Sequence, residues 1–417
     1  MSAVIDNRPK PASKTALPVL AAISFCHLLN DLMQSLLPAI YPILKGGFDL
    51  SFAQIGLLTL TYQITASLFQ PLVGLYTDRK PQPWSLPFGM GSTLIGLVTL
   101  AFATNYAMLL TGGAFLGLGS SIFHPESSRL ARLASGGAHG FAQSLFQVGG
   151  NVGSALGPLM AAFFILPHGR SSLAWFALVA LGGMSILTAL GHWYKSNGHA
   201  KKPARRVDAT HPNLSTAQVR RAMAVLFALL FSKYVYLASI TSYYTFYLIQ
   251  RFGMATQDAQ LCLFAFLASV AAGTIAGGPI GDRIGRKKVI WASILGILPF
   301  TLALPYVGLP ATIALSIIIG LVISSAFPAI IVYAQELMPG RVGMVSGMFF
   351  GFIFGIGGIG AAVIGALADT TGIAFVYKVC AFLPLIGLLT ALLPDTRLVD
   401  ASGSGGAMPM SNEGGTK

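Results

Sequence analysis

The sequence predicts an all-α membrane protein whose twelve transmembrane helices form two similar bundles of six. The chain is 54% hydrophobic and only 9% charged, whereas soluble proteins carry roughly 25% charged residues. Apolar runs of about 20 residues, the length that crosses a bilayer, recur along the chain. The pattern Gly-x-x-x-Asp-Arg occurs at positions 74–79 and again at 278–283, so the two halves of the chain are related. A soluble domain could not bury this much apolar surface.

The apolar runs, which we call spans 1 to 12, fall into two sets of six. The predicted spans are 17–42, 53–76, 84–104, 106–130, 141–166, 173–194, 222–249, 259–280, 289–308, 311–335, 342–367 and 374–394. The predicted organisation is a tail at 1–16, a bundle at 17–194, a linker at 195–221, a bundle at 222–394 and a disordered tail at 395–417.

Charge in the loops predicts the orientation. If the N-terminus is cytoplasmic, most of the 26 Lys and Arg residues lie on the cytoplasmic side, seven of them in the linker. The outer loops then hold only Lys45, Arg170, Arg251 and Lys378. The positive-inside rule therefore predicts that both termini and the linker are cytoplasmic.

The same patterns argue against several function classes. A net charge of +13 that is spread over short loops indicates a membrane surface rather than nucleic acid. Cys26, Cys262 and Cys380 lie in apolar runs without metal or disulfide spacing. No nucleophile motif, Walker A loop or selectivity-filter repeat is present, so an enzyme, a channel and a self-contained ATP-driven pump are disfavoured. We expect neither a metal nor an organic cofactor.

Each Gly-x-x-x-Asp-Arg copy is predicted to form a tight polar loop between two spans, where its carboxylate can cap a neighbouring helix. The second copy continues into a basic run at 284–288, whereas the first is followed by Lys80, Pro81, Gln82 and Pro83. Six plus six spans with this motif after spans 2 and 8 resemble the major facilitator superfamily. That resemblance implies an inner gate formed by Gly74, Asp78, Arg79, Gly278, Asp282, Arg283 and Arg286.

Span 5 carries small residues at a spacing of four, followed by a proline: Gly149, Gly153, Gly157 and Pro158. Such a face allows close helix packing, and the proline introduces a kink. The pattern resembles the glycine-rich motif of the drug:proton antiporters of the superfamily. Helix packing without any export function is the alternative interpretation.

Longer blocks give a closer resemblance. They lie at 27–35, 69–78, 83–87, 123–129 and 143–151, and they resemble the bacterial exporters of phosphonate antibiotics within the superfamily. The C-terminal half matches more loosely. The resemblance implies a multi-pass efflux transporter of the bacterial inner membrane, driven by the proton gradient and acting on a small anionic drug. The lipid bilayer, the anion and protons are then the expected partners of a monomer that binds no nucleic acid.

Polar side chains inside apolar spans mark function, because burying them is costly. In span 1, His27, Asp31 and Gln34 share one helical face, with Asn30 beside them. This face should line the central cavity between the two bundles. We expect Asp31 to carry a proton or sense the substrate, with His27 as its titratable neighbour, and Asn30 and Gln34 to contact substrate. A structural Asp that bonds to span 5 is the alternative.

Span 4 adds a second polar group near its inner end: His124, Glu126 and Arg129. A His beside a Glu suits proton exchange, which makes His124 and Glu126 candidates for proton coupling and Arg129 a candidate substrate ligand. Alternatively, Glu126 and Arg129 simply form an ion pair three residues apart on one helix.

In span 5, Gln143, Gln147 and Asn151 recur every four residues. Neutral amides at this spacing bind substrate oxygens or hold helices together. We assign Gln147 and Asn151 to the substrate cavity.

Among the Lys and Arg residues of the sequence, Lys233 is the one that lies deep within a predicted span. A buried ammonium needs an anion as its partner. That anion is either Asp31 of the other half or the substrate itself. Tyr236, Tyr243 and Tyr247 follow on roughly the same face and could contact the substrate. For Tyr247, near the outer end of the span, packing at the membrane interface is the alternative interpretation.

The direction of transport stays open at this level. A proton-coupled importer of a small organic anion on the same fold is the main alternative to an exporter, because nothing in the spans alone sets direction.

Overall fold

The structure is a computed structural model that describes residues 15–80, 82–136, 139–197, 214–338 and 342–394. These residues form helices and short connections, with no β-strand among them. Spans 1 to 6 are Leu17–Ala39, Phe52–Arg79, Ser85–Ala101, Tyr106–Ala134, His139–Met160 extended to His168, and Arg170–Trp175 continued by Phe176–Asn197. Spans 7 to 12 are Thr216–Phe252, Thr256–Ile284, Arg286–Ile294 with Leu298–Tyr306, Leu309–Ser324 with Ala326–Leu337, Val342–Thr371, and Ile373–Cys380 with Leu383–Leu392.

The predicted fold class is confirmed. Eleven helical segments of the described residues are long and apolar enough to cross a membrane, and the helix Ser85–Ala101, at 17 residues, is the shorter twelfth. The tails at 1–14 and 395–417 and the centre of the linker at 198–213 lie outside the described residues. Cys26, Cys262 and Cys380 are buried as free thiols.

Local sequence signals explain where spans 2 and 7 begin. Ser51 accepts a hydrogen bond from the backbone N–H of Gln54, whose side chain bonds back to the Ser51 N–H. Ser215 and Gln218 form the same capping box at the start of span 7. The reciprocal bonds satisfy N–H groups that the helix itself leaves free.

The repeated motif is helical, which corrects the prediction of two tight loops. Span 2 continues as helix to Arg79, so positions 74–79 form its last turns. Span 8 likewise continues to Ile284 and ends at Gly285, whose φ of 101° only glycine adopts readily. The helix runs through Gly278, Pro279 and Gly281, and the chain does not turn until Gly285.

The two halves meet along one end of the bundle, the end at which Ala39 and Phe52 lie. A Cβ on Gly56 would lie 2.6 Å from the carbonyl oxygen of Ala361, so spans 2 and 11 touch backbone to backbone here. The side chain of Gln260 in span 8 donates to the Ala39 carbonyl oxygen of span 1. We call this the sealed end; it is remote from Leu17, where span 1 begins.

Candidate functional site

The polar stripe of span 1 faces spans 4 and 5 inside the N-terminal bundle. His27 and Asn30 are fully buried, Gln34 is 5% exposed, and the side chain of Asp31 keeps 16% of its surface accessible. The helical spacing therefore places these groups on one buried face.

Two imidazoles flank the carboxylate of Asp31. His27 Nε2 lies 3.4 Å from Oδ2, and His124 Nε2, from span 4, lies 3.4 Å from Oδ1. Asn30 donates a hydrogen bond of 3.0 Å to Oδ1, and the Ser154 hydroxyl of span 5 donates to Oδ2 over 3.4 Å. We call His27, Asp31 and His124 the Asp31 cluster.

The backbone fixes the orientation of both imidazoles. His27 Nδ1 lies 2.8 Å from the carbonyl oxygen of Phe146, and His124 Nδ1 lies 3.1 Å from that of Ser120. A carbonyl only accepts, so each Nδ1 carries a hydrogen and each neutral ring directs the lone pair of Nε2 toward Asp31. The Nε2 atom of each ring is therefore the one that lies near the carboxylate of Asp31.

The three candidate ligand atoms of the cluster lie within 4.8 Å of one another, a spacing that a metal ion could also use. The sequence prediction for these residues is proton binding without a metal.

Ring packing surrounds the cluster and reaches the other half. His27 stacks on Phe146 of span 5 with centroids 3.9 Å apart, and it meets His124 edge-on at 5.1 Å. Phe354 of span 11 lies 6.1 Å from the His124 ring. The cluster thus lies within ring contact of the C-terminal half.

Gly150 makes room for the cluster. A Cβ at this position would lie 2.3 Å from Cε1 of His27 and 2.9 Å from Oδ2 of Asp31. Gly149, Gly153 and Gly157 also pack against span 1, each with a Cβ position about 2 Å from a span 1 atom. A π-helical turn at Ala161–Ile165 follows the predicted kink residue Pro158.

Several buried polar atoms around the cluster have no hydrogen-bond partner among the described residues. They are His27 Nε2, Asn30 Oδ1, Gln34 Nε2 and Asn151 Nδ2. Gln147 donates to Asn151 over 3.2 Å, so these two candidates bond to each other, while the Gln143 side chain lies outside the described part. Buried polar groups normally find partners, so this region suits a polar ligand.

Lys233 lies apart from the Asp31 cluster. It is 2% exposed, and its ammonium lies 5.1 Å from the ring centre of Tyr234 and 5.3 Å from that of Phe327 in span 10. An ion pair with Asp31, one of the two alternatives for Lys233, is not formed here; within the described ranges Lys233 has no carboxylate partner. Phe327 in turn meets Phe350 of span 11 at 5.4 Å.

The tyrosines of span 7 do not join this group in the described contacts. Tyr243 is fully buried at the sealed end, with its hydroxyl 2.7 Å from the Ala361 carbonyl oxygen. Tyr236 is 2% exposed. Tyr247 stacks on Tyr377 at 4.2 Å and bonds to Arg251, in line with the packing alternative.

Glu126 and Arg129 form a separate group near the C-terminal end of span 4. Arg129 Nη2 lies 2.6 Å from Glu126 Oε2, and Nη1 donates to the Thr77 carbonyl oxygen over 2.6 Å. Ser85 donates to the same Glu126 oxygen over 3.3 Å. The pair thus joins the end of span 2 and the start of span 3 to span 4, while His124, on the other side of Pro125, joins Asp31.

The gate residues are only partly described. The side chains of Asp78, Arg79 and Asp282 and the surroundings of Gly74 and Gly278 lie outside the described part, and Arg283 is exposed. Arg286 forms an ion pair of 2.5 Å with Glu336 of span 10, within the C-terminal half.

Sequence reasoning missed four contributors to the site. Phe146, Ser154 and Phe354 contact the Asp31 cluster, and the hydroxyl of Tyr62 donates to Gln34 Oε1 over 2.8 Å. Ser154 lies four residues after Gly150, so the small-residue face of span 5 was a usable signal for it. Nothing in the sequence singled out the other three.

The chain matches the family model of the Major Facilitator Superfamily over residues 23–358 and 247–407. It belongs to that superfamily and is therefore a membrane transporter rather than an enzyme.

Among curated proteins, the chain is 58% identical over 388 residues to the fosmidomycin resistance protein of Escherichia coli (strain K12), covering 93% of this chain and 95% of that protein. It is 40% identical over 387 residues to the uncharacterized MFS-type transporter YfnC of Bacillus subtilis (strain 168), covering 92% and 94%.

Two solved structures share the fold at low identity. A bacterial homolog of the human lysosomal transporter Spinster, in an inward-facing and occupied conformation, gives a TM-score of 0.70 at 15% identity and covers 93% of this chain and 96% of its own. The nucleoside transporter NupG gives 0.70 at 17% identity, with coverage of 91% and 99%.

Proposed function

We propose that this protein exports a small anionic drug of the phosphonate class from the bacterial cytoplasm in exchange for protons, by alternating access. The observation that carries the proposal is the 58% identity, over 93% of the chain, to a protein named for fosmidomycin resistance. A membrane transporter most simply produces resistance to a drug by exporting it. The proton gradient is the proposed energy source, and no cofactor is involved.

The Asp31 cluster is the proposed coupling site. Its two imidazoles are oriented by backbone carbonyls, so each places its Nε2 beside the carboxylate. It retains access, since 21% of the His124 side chain and 16% of Asp31 are exposed. A cluster that gains and loses a proton on each cycle couples proton movement to transport. Glu126 is the weaker coupling candidate, because its carboxylate is 2.6 Å from Arg129.

Lys233 is the proposed anion site. Its ammonium contacts two ring faces and has no carboxylate partner in the described ranges, which leaves its charge available to a phosphonate. Because the residue is only 2% exposed, binding requires Tyr234 or Phe327 to move. The unpartnered polar atoms of Asn30, Gln34 and Asn151 would contact the rest of the substrate.

We place the protein in the inner membrane as a monomer, with both termini in the cytoplasm. The distribution of Lys and Arg supports this orientation. The sealed end would then face the periplasm. Reporter fusions at the C-terminus that are active only in the cytoplasm test the orientation.

One observation favours import of an anion instead. Protonating the Asp31 cluster removes negative charge from the cavity, and a less negative cavity binds an anion better. Proton and anion would then bind with positive coupling, which is the linkage expected of a symporter. Overexpression separates the two functions: an exporter makes cells resistant to fosmidomycin, whereas an importer makes them hypersensitive.

Asp31→Asn tests the coupling site in inside-out vesicles. We expect it to abolish fosmidomycin accumulation driven by a pH gradient, while exchange of labelled for unlabelled drug without a gradient continues. Asp49→Asn is the matched control, since Asp49 is exposed and Asn tolerates its positive φ of 50°. Full gradient-driven accumulation by Asp31→Asn would contradict the coupling role.

A further inference from the structure

Asp369 joins the two halves at the sealed end. It lies near the end of span 11, and its two carboxylate oxygens accept hydrogen bonds from consecutive backbone N–H groups of span 2. Oδ1 accepts from Phe52 over 2.7 Å, and Oδ2 accepts from Ala53 over 2.8 Å. Both donors belong to the N-terminal half, so a residue of one half binds the backbone of the other.

These bonds complete the cap of span 2. The first N–H groups of a helix have no acceptor within the helix. Ser51 takes the N–H of Gln54, and the N–H of Ile55 reaches the Ser51 carbonyl oxygen. Phe52 and Ala53 remain, and Asp369 accepts from both. The helix start is therefore fully bonded only while span 11 is docked against it.

Charge strengthens the contact. The start of a helix carries a partial positive charge, and a carboxylate is favourable there. Bonds between an ionised carboxylate and backbone N–H groups are stronger than neutral ones. We call the contacts between the two halves at the sealed end the seam. Among the described contacts of the seam, the Asp369 contact is the one that a charge strengthens.

Around Asp369, the backbones of the two halves approach each other closely. A Cβ on Gly365 would lie 2.2 Å from the Phe52 carbonyl oxygen. The Tyr243 hydroxyl lies between the carbonyl oxygens of Ala361 and Phe52, at 2.7 and 3.3 Å. Such contacts are lost once the backbones separate by a few ångströms. Separation of the two halves at this end therefore breaks all of these contacts.

We propose that Asp369 is the latch of the sealed end: its two hydrogen bonds to span 2 hold this end closed, and each transport cycle breaks and remakes them. The latch goes beyond the proposed function and does not depend on the identity of the substrate or on the direction of transport.

Distance measurement by pulsed electron spin resonance tests the latch. Spin labels at Thr104 in the N-terminal half and Gln257 in the C-terminal half would flank the sealed end, in a transport-competent variant without the three native cysteines. Thr104 is next to the start of span 4, where Tyr106 bonds to Gln54, and Gln257 is one turn before Gln260. Both positions are exposed.

Asp369→Ala should raise the ratio of long to short distances about tenfold, which corresponds to about 1.4 kcal/mol. Asp258→Ala is the matched control, because Asp258 is an exposed acid in the first turn of span 8 and makes no described cross-half bond. We expect it to leave the distances unchanged. An unchanged distribution in Asp369→Ala overturns the latch.

A second variant tests the other side of the same bond. Ala53→Pro removes one N–H donor of the first helical turn, a group for which the helix itself offers no acceptor. It should shift the distances in the same direction, and after Asp369→Ala it should add little, because the shared interaction is already gone. Independent, additive effects would contradict a shared latch. Loss of drug export with an intact distance response would contradict the proposed function and leave the latch standing.

Discussion

Gly150 determines whether the Asp31 cluster can assemble, which makes Gly150→Ala the sharpest test of the site. The added Cβ would lie 2.3 Å from Cε1 of His27, whereas carbon atoms in contact are about 3.5 Å apart. The imidazole would therefore have to retreat by about 1 Å. The same Cβ would lie 2.9 Å from Oδ2 of Asp31, so the ring cannot retreat without disturbing the carboxylate.

The cost follows from what the imidazole would lose. His27 Nδ1 is 2.8 Å from the Phe146 carbonyl oxygen and its ring stacks on Phe146 at 3.9 Å. Inserting one methyl group into a packed region costs about 1–3 kcal/mol, and the lost hydrogen bond adds about 1 kcal/mol. We expect Gly150→Ala to lower stability by about 2–4 kcal/mol and to abolish proton-driven transport.

The assay combines thermal unfolding in detergent with gradient-driven drug transport in vesicles. Gly182→Ala is the control, because a Cβ on Gly182 of span 6 meets no atom within 4 Å. That variant should melt at or above the wild-type temperature, since alanine favours helix by about 1 kcal/mol over glycine. Wild-type melting together with wild-type transport in Gly150→Ala would refute the packing of spans 1 and 5 around the cluster.

Three further predictions concern individual contacts. Lys233→Met should raise the KM for an anionic drug at least about tenfold, because a buried charge pair is worth about 2–5 kcal/mol. Lys233→Arg keeps the charge and should raise the KM less. Equal KM values for the variants and the wild type in transport kinetics would exclude an anion site. Glu126→Ala should lower the melting temperature, because Arg129 loses the carboxylate 2.6 Å away, and adding Arg129→Met should recover part of the loss; a double variant less stable than the single one would speak against the pair. Tyr62→Phe removes the 2.8 Å bond to Gln34, at about 1 kcal/mol, and should weaken drug binding with little change in melting; an unaltered drug affinity would place Gln34 outside the substrate site.

Helix number and position were predictable because apolar run length is set by bilayer thickness. Helix ends were not. The predicted loop at 74–79 is helical, and span 7 begins at Thr216 rather than at 222. The apolar run stops where polar residues begin, but the helix itself continues into water. It ends only at a residue such as Gly285 or at a capping residue.

The candidate site was half predictable. Periodicity placed His27, Asp31 and Gln34 on one face, because 3.6 residues complete a helical turn. It could not pair Asp31 of span 1 with His124 of span 4, because two other spans lie between them in the sequence. Nor could it separate His124 from Glu126: His124 lies beside Asp31 of span 1, whereas Glu126 pairs with Arg129 of its own helix and accepts from Ser85 of span 3.

Sequence alone determined the membrane class, the twelve spans, the two related halves and the buried polar stripe of span 1, because each depends on composition or on spacing within one helix. Only the tertiary structure decided that Asp31 pairs with two imidazoles rather than with Lys233, that Tyr243 belongs to a seam, and that Asp369 caps a helix of the other half. Those contacts depend on how helices pack against one another, and their packing is set by the close approach of small residues such as Gly150 and Gly56.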